Sequence, residues 1–322
     1  MSRVAEELTP TGTVRTLVGD VDPAELGRVD YHEHLFQVSP LLPGDELDDE
    51  EAAAAEATLL ASSGFETMVD ATPLGLGRQP LALARVSAAS GLRIVASTGA
   101  HREEHYTDET WVLDLGVEVL EQAFVRDLTE GMPLTDRGEY APSHVRAGVL
   151  KAGIGYWRIS PFEQRVLRGV AAAHRATGAP VMVHLEYATA AHEVLDVLER
   201  AGVSPARVAL AHVDRNLDAG LHAGLAERGA FLGYDGPARP RSAPDSSILD
   251  CLESVAAAGW IHQVLLGGDV ARRSRFVAHG GMPGLSYLGD RFVPRLLDRV
   301  GLEAVDHILR ANPARWLSFK PN

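Results

Sequence analysis

The sequence predicts an α/β protein in which eight parallel strands close into a barrel covered by helices, a (β/α)8 barrel. Short apolar runs alternate with amphipathic helical segments along the chain. The apolar runs are nearly continuous, as expected for strands that are buried on both faces. The length of 322 residues suits one such barrel, which typically takes about 250 residues before insertions. We therefore expect a single domain over 1–322, with the barrel at about 25–320.

The first element after a short leader is the segment TVRTLVGDV at 13–21, which we expect to form a small hairpin arm. Eight strand candidates follow, and the first of them leads into Asp30-Tyr31-His32. The other seven are Glu66 to Thr72, Leu92 to Thr98, Val145 to Lys151, Pro180 to His184, Val208 to His212, Ala230 to Asp235 and Gln263 to Asp269.

Helical segments rich in Ala and Leu lie between the strand candidates, and several end at a glycine, as helix C-termini commonly do. The main alternative is a doubly wound open sheet. That fold would need a glycine-rich phosphate turn after the first strand, and His32-Glu33-His34 occupies that position. The predicted helices are Asp49 to Ser63, Ser160 to Thr177, Thr189 to Ala201, Leu217 to Arg228 and Ser246 to Ala258.

Composition and charge exclude several classes of protein. With 46% hydrophobic and 23% charged residues, the chain is typical of a globular protein and not of a disordered one. The formal net charge of -14 argues against a nucleic-acid or membrane-surface binder. Cys251 is the only cysteine, so no intramolecular disulfide can form and we expect a buried structural thiol. With no signal-peptide pattern and no apolar run of about 18 residues, we expect a cytoplasmic protein.

Potential metal ligands stand where five of the predicted strands end, and active sites of barrels are built at this end. His32 and His34 are two residues apart, so alternation along a strand predicts that both point into the barrel mouth and Glu33 outward or sideways. A lone His-x-His pair is a weak signal, because most strand histidines are merely hydrogen-bonded. Recurrence at several strand ends makes chance placement improbable. The complete set is His32, His34, Lys151, His184, His212 and Asp269.

Imidazole and carboxylate ligands that are open to substrate are typical of a catalytic zinc or similar ion, which lowers the pKa of water from about 15.7 toward about 7. Lys151 is unexpected in such a set, because two dications would repel its ammonium group. Carbamylation by carbon dioxide would turn the amine into an anionic carboxylate able to bridge two metals. The alternative is a lysine that snorkels out of the strand end.

These motifs together resemble the phosphotriesterase family of the amidohydrolase superfamily, over almost the whole chain. The matching segments are HEH at 32–34, RAGVLKAG around Lys151, TGAPVMVH ending at His184, AHVDRN around His212, LLGGD ending at Asp269 and ANPARWLSF near the C-terminus. The resemblance implies a TIM barrel of the amidohydrolase type with two divalent metals. Zinc is expected first, with manganese, cobalt or iron as alternatives.

The same resemblance implies a mechanism and a division of the site. In the family, a metal-bridging hydroxide attacks an ester, lactone or phosphorus centre, and the aspartate at the Asp269 position accepts the proton. Asp269 is therefore the predicted catalytic residue. The implied ligands are His32, His34 and Asp269 for one metal, His184 and His212 for the other, and Lys151, carboxylated by carbon dioxide, as the bridge.

Two long basic loops follow the seventh and eighth strand candidates, which is unusual on a chain of net charge -14. Arginine binds carboxylate, sulfonate and phosphate groups bidentately, so these loops predict an anion clamp for the substrate. The alternative for any single arginine is solvation or pairing with an acidic neighbour. The loop arginines are Arg239, Arg241, Arg272, Arg273 and Arg275, of which the last three are the predicted substrate contacts.

Further pocket residues are expected near other strand ends. Asp235 corresponds to an aspartate that the family places beside the site, although Gly236 follows where phosphotriesterases proper carry a histidine. His101 stands where family lactonases often carry a tyrosine, which argues against the acyl-homoserine lactonase branch. It either lines the pocket or is an ordinary loop histidine. Tyr156 is expected at the pocket entrance, with a core or surface role as the alternative, and Asp214 is expected to orient the metal ligands.

The sequence therefore predicts a binuclear metallohydrolase that opens a lactone or carboxylic ester carrying an anionic group. Its partner is a small-molecule substrate, without nucleic acid or membrane, and a homodimer is left open. The alternatives are an amidase acting on a small N-acyl compound and a phosphotriesterase. A non-catalytic binding protein is disfavoured, because loss of activity normally removes ligands first and all six are present.

Overall fold

The computed structural model describes residue 10 and residues 12–108 and 110–320. A two-stranded antiparallel hairpin comes first, formed by β1 (Val14–Thr16) and β2 (Gly19–Val21). The side chain of Val14 is fully buried. The hairpin confirms the predicted N-terminal arm.

Eight strands then form one sheet in which every pairing is parallel and each strand lies beside the next along the chain. This order confirms the predicted (β/α)8 barrel, and the doubly wound alternative is wrong. The strands are β3 (Val29–Glu33), β4 (Thr67–Asp70), β5 (Arg93–Gly99), β6 (Val149–Ile154), β7 (Val181–Leu185), β8 (Val208–Ala211), β9 (Phe231–Tyr234) and β10 (Val264–Leu266).

Helices connect the strands, and the five predicted helices agree with the structure to within two residues at each end. Local signals explain their limits. Before Pro161–Thr177, Ser160 and Glu163 form a reciprocal capping box, and Gly178 follows in the left-handed conformation at φ 77°. Of the described helices, none is long and apolar enough to cross a membrane. The helices are α1 (Glu50–Ser62), α2 (Pro80–Ser90), α3 (Thr110–Leu113), α4 (Val117–Thr129), α5 (Pro161–Thr177), α6 (Ala191–Arg200), α7 (Ala219–Glu227), α8 (Asp245–Ala257), α9 (Val293–Val300), α10 (Leu302–Asp306) and α11 (Asn312–Leu317).

One strand begins four residues later than the sequence predicts, whereas the other starts that were predicted agree to within one residue. β6 starts at Val149, whereas the apolar run predicts a start at Val145. The backbone of Val145 is used differently, because its carbonyl accepts from the N–H of Met132 at 2.7 Å in the loop after α4. The strand also ends later than predicted, at Ile154, so Lys151 is its third residue and not its last.

The barrel is nearly closed between β10 and β3. Hydrogen bonds cross this seam: the N–H of Asp269 donates to the carbonyl of His32 at 2.9 Å, and the N–H of Val270 donates to Glu33 Oε2 at 2.7 Å. The seam therefore places Asp269, which follows β10, next to His32 of β3. Glu33 points to the seam, where it is fully buried.

An apolar cluster fills the inside of the barrel beneath the strand ends. Trp316 of α11 belongs to it, and its Nε1 donates to the carbonyl of Val181 at the start of β7, at 3.2 Å. A larger cluster packs the helices onto the outside of the strands. The polar strand ends consequently rest on a close-packed floor. The inner cluster includes Val29, Tyr31, Val69, Val95, Val149, Met182, Ala209, Phe231 and Leu265.

Candidate metal centre

The six predicted ligands lie together at the C-terminal ends of the strands, as expected for the active site of a parallel barrel. All six are buried, from Lys151 at 0% exposure to His184 at 6%. Ligand atoms of His32, His34 and Asp269 lie within 4.8 Å of one another, and those of His32, His212 and Asp235 do so as well. The structure thus assembles two overlapping groups that could hold a metal ion.

His32 reaches the site because β3 is irregular. Tyr31 belongs to the cluster inside the barrel, so strict alternation would turn His32 outward. The register of β3 against β4 shifts between Asp30 and Glu33, as at a β-bulge, which lets two successive side chains face the interior. The assumption of simple alternation is therefore wrong here, although His32 and His34 do lie side by side, with ring centroids 5.4 Å apart.

The first group of ligands comprises His32, His34 and Asp269. The Nε2 atoms of the two histidines lie 3.7 and 3.6 Å from Asp269 Oδ1. Their Nδ1 atoms are engaged elsewhere, that of His32 by Asp235 at 3.0 Å and that of His34 by Thr72 Oγ1 at 2.7 Å. A proton on each Nδ1 leaves the Nε2 lone pairs directed at the carboxylate, so this donor set fits a divalent metal.

His184 and His212, the ligands implied for the second metal, face each other. Their ring nitrogens, Nδ1 of His184 and Nε2 of His212, are 2.8 Å apart, and the ring centroids are 4.4 Å apart. Burial and neighbouring positive charge lower the pKa of both histidines well below the usual value. Neutral imidazoles are the form that ligates metals, so the chemistry of this pair also fits a metal.

Lys151 is fully buried beside His32. Its Nζ is 3.2 Å from His32 Nε2 and 3.3 Å from Met182 Sδ, and neither neighbour is anionic. Burial lowers the pKa of Lys151 to about 8, despite the opposing effect of Asp269. The lysine therefore does not snorkel to solvent, which was the alternative reading of its position.

Asp235 binds both groups of histidines. Its carboxylate accepts from Nδ1 of His32 at 3.0 Å and from Nδ1 of His212 at 2.5 Å, and also from the hydroxyl of Tyr31. Burial would raise the pKa of Asp235, but the hydrogen bond from His32 and the nearby charges lower it. With 0% exposure, Asp235 lies below the cavity and contacts histidines, whereas the sequence suggested a contact with substrate.

Asp214, which the sequence predicted to orient the metal ligands, accepts from a backbone group instead. Its Oδ2 accepts from the N–H of Gly236 at 2.7 Å, and its Oδ1 is buried without a hydrogen-bond partner among the described residues. Burial and the neighbouring Asp235 raise the pKa of Asp214 to about 8. A Cβ atom on Gly236 would lie 2.9 Å from Asp214 Oδ2, so a larger residue here would displace that carboxylate.

Asp269 is surrounded by positive charge. Arg239 Nη2 binds its Oδ2 and its carbonyl oxygen, and Arg215 Nη2 lies 3.3 Å from Oδ2. Burial would raise the pKa of Asp269, yet Arg239 and His32 lower it strongly. Asp269 itself has a left-handed backbone at φ 45°, a conformation that is uncommon outside glycine and recurs at functional sites.

A cavity of about 290 Å³ opens above the ligands. Its lining includes His101, whose ring centroid is 4.5 Å from that of His184, and Arg272, which pairs with Asp45 at 3.3 Å. Tyr187 also lines it and makes an edge contact with Tyr156, at 6.0 Å between centroids. The charged residues of the lining include Arg102, Glu186, Arg215, Arg239, Asp269 and Arg272.

Other predicted substrate residues lie apart from this cavity. Arg273 is exposed, and Arg275 is half-buried in a small separate crevice beside Val270 and Pro283. Two arginines that sequence reasoning did not select, Arg102 and Arg215, line the cavity instead. Their positions within three residues of His101 and His212 were the signal that could have identified them.

A nearly closed parallel barrel with histidine and aspartate ligands at its strand ends is the arrangement of a metal-dependent hydrolase. The chain belongs to the phosphotriesterase family, whose family model matches residues 12–317.

Three relatives illustrate this membership. The phospho-furanose lactonase of Mycoplasmopsis agalactiae is 32% identical, over 95% of this chain and 91% of that protein. The N-acetyltaurine hydrolase of Danio rerio is 28% identical, over 96% of this chain and 99% of that protein. A solved structure of a lactonase from Listeria monocytogenes superposes with a TM-score of 0.88 at 30% identity, over 96% of this chain and 100% of that one. The protein is thus an enzyme, a hydrolase of this family that acts on ester bonds.

Proposed function

We propose that the enzyme opens a lactone carrying an anionic group, with a phosphorylated sugar lactone as the first candidate substrate. Arg239 carries the proposal. Its Nη2 binds Asp269, while its Nε is buried without a hydrogen-bond partner among the described residues. The side chain as a whole is 22% exposed and lines the cavity above the ligands, where the guanidinium would bind an anionic oxygen of the substrate. Similarity to a phospho-furanose lactonase supports the same substrate class.

Two divalent metals, with zinc as the first choice, would complete the site. Support comes from the donor chemistry, because each ligand histidine is buried and neutral and faces another ligand. When bound, the metals would acidify water to give a nucleophile at neutral pH and would polarise the carbonyl. The residues holding them would be His32, His34 and Asp269 for one metal, and His184 and His212 for the other.

Lys151 would supply the bridge between the metals. Its fully buried Nζ lies beside His32 Nε2, where an ammonium group would repel a dication. Reaction of the neutral amine with carbon dioxide forms one N–C bond and releases one proton, leaving an anionic carbamate. The charge at this position would then be negative, as a ligand of two metals requires.

The protein groups would orient the substrate and move one proton. Arg239 and Arg272 would hold the anionic group, so that the lactone carbonyl faces the ligands. Asp269 would accept the proton of the attacking water at Oδ2 and return it to the ring oxygen as the C–O bond breaks. The product is an open hydroxy acid that still carries its anionic group.

A matched pair of substrates tests this proposal. Zinc-loaded protein prepared with bicarbonate would be given one sugar lactone with and without a terminal phosphate. A charge-assisted hydrogen bond contributes about 1.5 to 3 kcal/mol, so kcat/KM should be roughly 10- to 100-fold higher for the phosphorylated form. Equal values would contradict the anion clamp, and hydrolysis of neither lactone would contradict a lactonase.

An amidase acting on an anionic N-acyl compound is the second candidate. It is favoured by the N-acetyltaurine hydrolase relative, since acetyltaurine carries a sulfonate that the same arginines could bind. Adding N-acetyltaurine and a neutral phosphotriester to the substrate panel separates the candidates. Turnover of the amide alone would replace the lactone proposal, whereas we expect the phosphorylated lactone to give the highest kcat/KM.

A further inference from the structure

His222 lies behind the metal centre and is not one of its ligands. It belongs to α7 and is fully buried. Its Nε2 is 2.9 Å from the carbonyl oxygen of Val213, and its Nδ1 is 2.6 Å from the hydroxyl of Tyr234. Val213 directly follows the ligand His212, and Tyr234 directly precedes Asp235. One imidazole therefore connects the two chain segments that carry this ligand and the carboxylate holding it.

The link through His222 matters because the hydrogen-bonded pairing of β8 with β9 ends before His212 and Asp235. In the part of the chain that the structure describes, the β8–β9 ladder pairs Ala209 with Phe231 and Leu210 with Leu232, and goes no further. His212 then turns into the left-handed region at φ 65°. A backbone in that region is held by its surroundings and not by its own preference.

The hydrogen bonds define one form of the His222 ring. A carbonyl oxygen can only accept, so Nε2 must carry the proton, and Nδ1 then accepts from the hydroxyl of Tyr234. Burial lowers the pKa of His222, which favours this neutral form. Cys251 Sγ packs against the same group, 3.5 Å from Nδ1 and 3.6 Å from the tyrosine oxygen. The ring is thus held on both edges.

We propose that His222 is a positioning residue of the metal centre: by joining Val213 to Tyr234, it holds the ring of His212 at Asp235 and directs its Nε2 toward the metal. The proposal rests on the metal centre put forward above. It gives a role to a buried histidine that neither the ligand set nor the cavity uses. It also explains why an ordered contact between His212 and Asp235 persists beyond the last ladder pair.

Three variants separate the two hydrogen bonds. In His222→Gln, the side-chain amide reaches the place of Nε2 and can still donate to Val213. In His222→Asn, the amide lies at the place of Nδ1 and can accept from Tyr234 without reaching Val213. His222→Leu removes both bonds. Because Val213 adjoins the ligand, we expect Gln to preserve metal binding better than Asn, and Leu to preserve it least.

The main measurement is zinc affinity by chelator competition, with the melting temperature recorded for each variant. Loss of an outer contact to a metal ligand typically weakens affinity 10- to 100-fold, and we expect about that for His222→Leu and less for His222→Gln. His174→Leu is the matched control. Nδ1 of His174 likewise lies 2.7 Å from a backbone carbonyl oxygen, that of Ala179. This contact precedes β7, at the end of the barrel opposite the metal centre.

Crystal structures of the metal-free variants provide a second measurement that does not depend on loading. We expect the 2.5 Å contact between His212 Nδ1 and Asp235 to be lost in His222→Leu and kept in His174→Leu. Unchanged zinc affinity and an unchanged contact in a folded His222→Leu protein would overturn the proposal. Wild-type protein that binds no zinc would overturn the metal centre itself, so the two failures are distinguishable. If His222→Leu does not fold, equal zinc affinities of His222→Gln and His222→Asn would overturn the positioning role of His222.

Discussion

The Nδ1 atom of His212 lies 2.5 Å from Asp235 Oδ1, and the backbone N–H of His212 donates to the other oxygen of the same carboxylate at 3.2 Å. His212 makes both bonds with its backbone in the left-handed conformation, at φ 65°. Since Asp235 also accepts from His32, one carboxylate orients ligand candidates from β3 and β8.

Replacing Asp235 with Asn should weaken zinc binding by roughly 10- to 100-fold. An amide has one accepting oxygen, so it can no longer accept from both His32 and His212. Chelator competition measures the affinity. Asp214→Asn is the matched control, since Asp214 is an equally buried aspartate whose hydrogen bond goes to Gly236. Equal losses in the two variants would show that Asp235 has no special role in orienting the ligands.

Replacing Lys151 with Ala should remove the bridging carbamate and reduce the bound metal, and added acetate should restore part of both metal content and activity. The chain has only one other lysine, Lys320, so Lys320→Ala is a direct control. Labelled bicarbonate should give one carbamate carbon signal by NMR, lost in the Lys151 variant alone. Full metal content in Lys151→Ala would rule out the bridge.

Replacing Arg239 with Met should lower the preference for a phosphorylated over a neutral lactone by roughly 10- to 100-fold, because a charge-assisted hydrogen bond is removed. The ratio of the two kcat/KM values is the measurement, since it cancels any general damage through Asp269. Arg273→Met serves as the control, because Arg273 is exposed and lies outside the cavity lining. An unchanged ratio in Arg239→Met would place the anion site elsewhere.

Replacing Arg78 with Met should destabilise the fold by about 3 to 5 kcal/mol, since it leaves buried carboxylates without their partner. Arg78 binds Asp127 at 2.7 Å and Asp136 at 2.8 Å, and its side chain is 2% exposed. Urea unfolding gives the free energy of unfolding. Arg85→Met, which breaks the exposed pair with Glu50, should cost far less, because solvent screens that pair. Similar costs in both variants would contradict a buried network.

The strand-end ligands could be predicted because the signal is local. Each of His184, His212 and Asp269 follows an apolar run, and in a parallel barrel all such runs end at the same side. The helix limits were predictable for a similar reason, as the capping box at Ser160 and the glycine at Gly178 illustrate. These features depend on neighbours along the chain.

Other features of the site could not be predicted because they depend on contacts across the fold. The bulge in β3 follows from its pairing with β4, and no residue of the HEH triplet indicates it. That Asp235 and not Asp214 binds the ligand histidines depends on how the ends of β8 and β9 turn. Whether Arg215 or Arg273 reaches the cavity is decided by loop conformation, which charge alone does not reveal.

Anomalous diffraction at the zinc edge, from crystals of wild-type protein grown with zinc and bicarbonate, tests the metal centre most directly. We expect two anomalous peaks per chain, one among His32, His34 and Asp269 and the other beside His184 and His212, with continuous density from Lys151 Nζ toward both. The absence of any peak at these side chains, or peaks only at other positions on the protein, would contradict a binuclear hydrolase site.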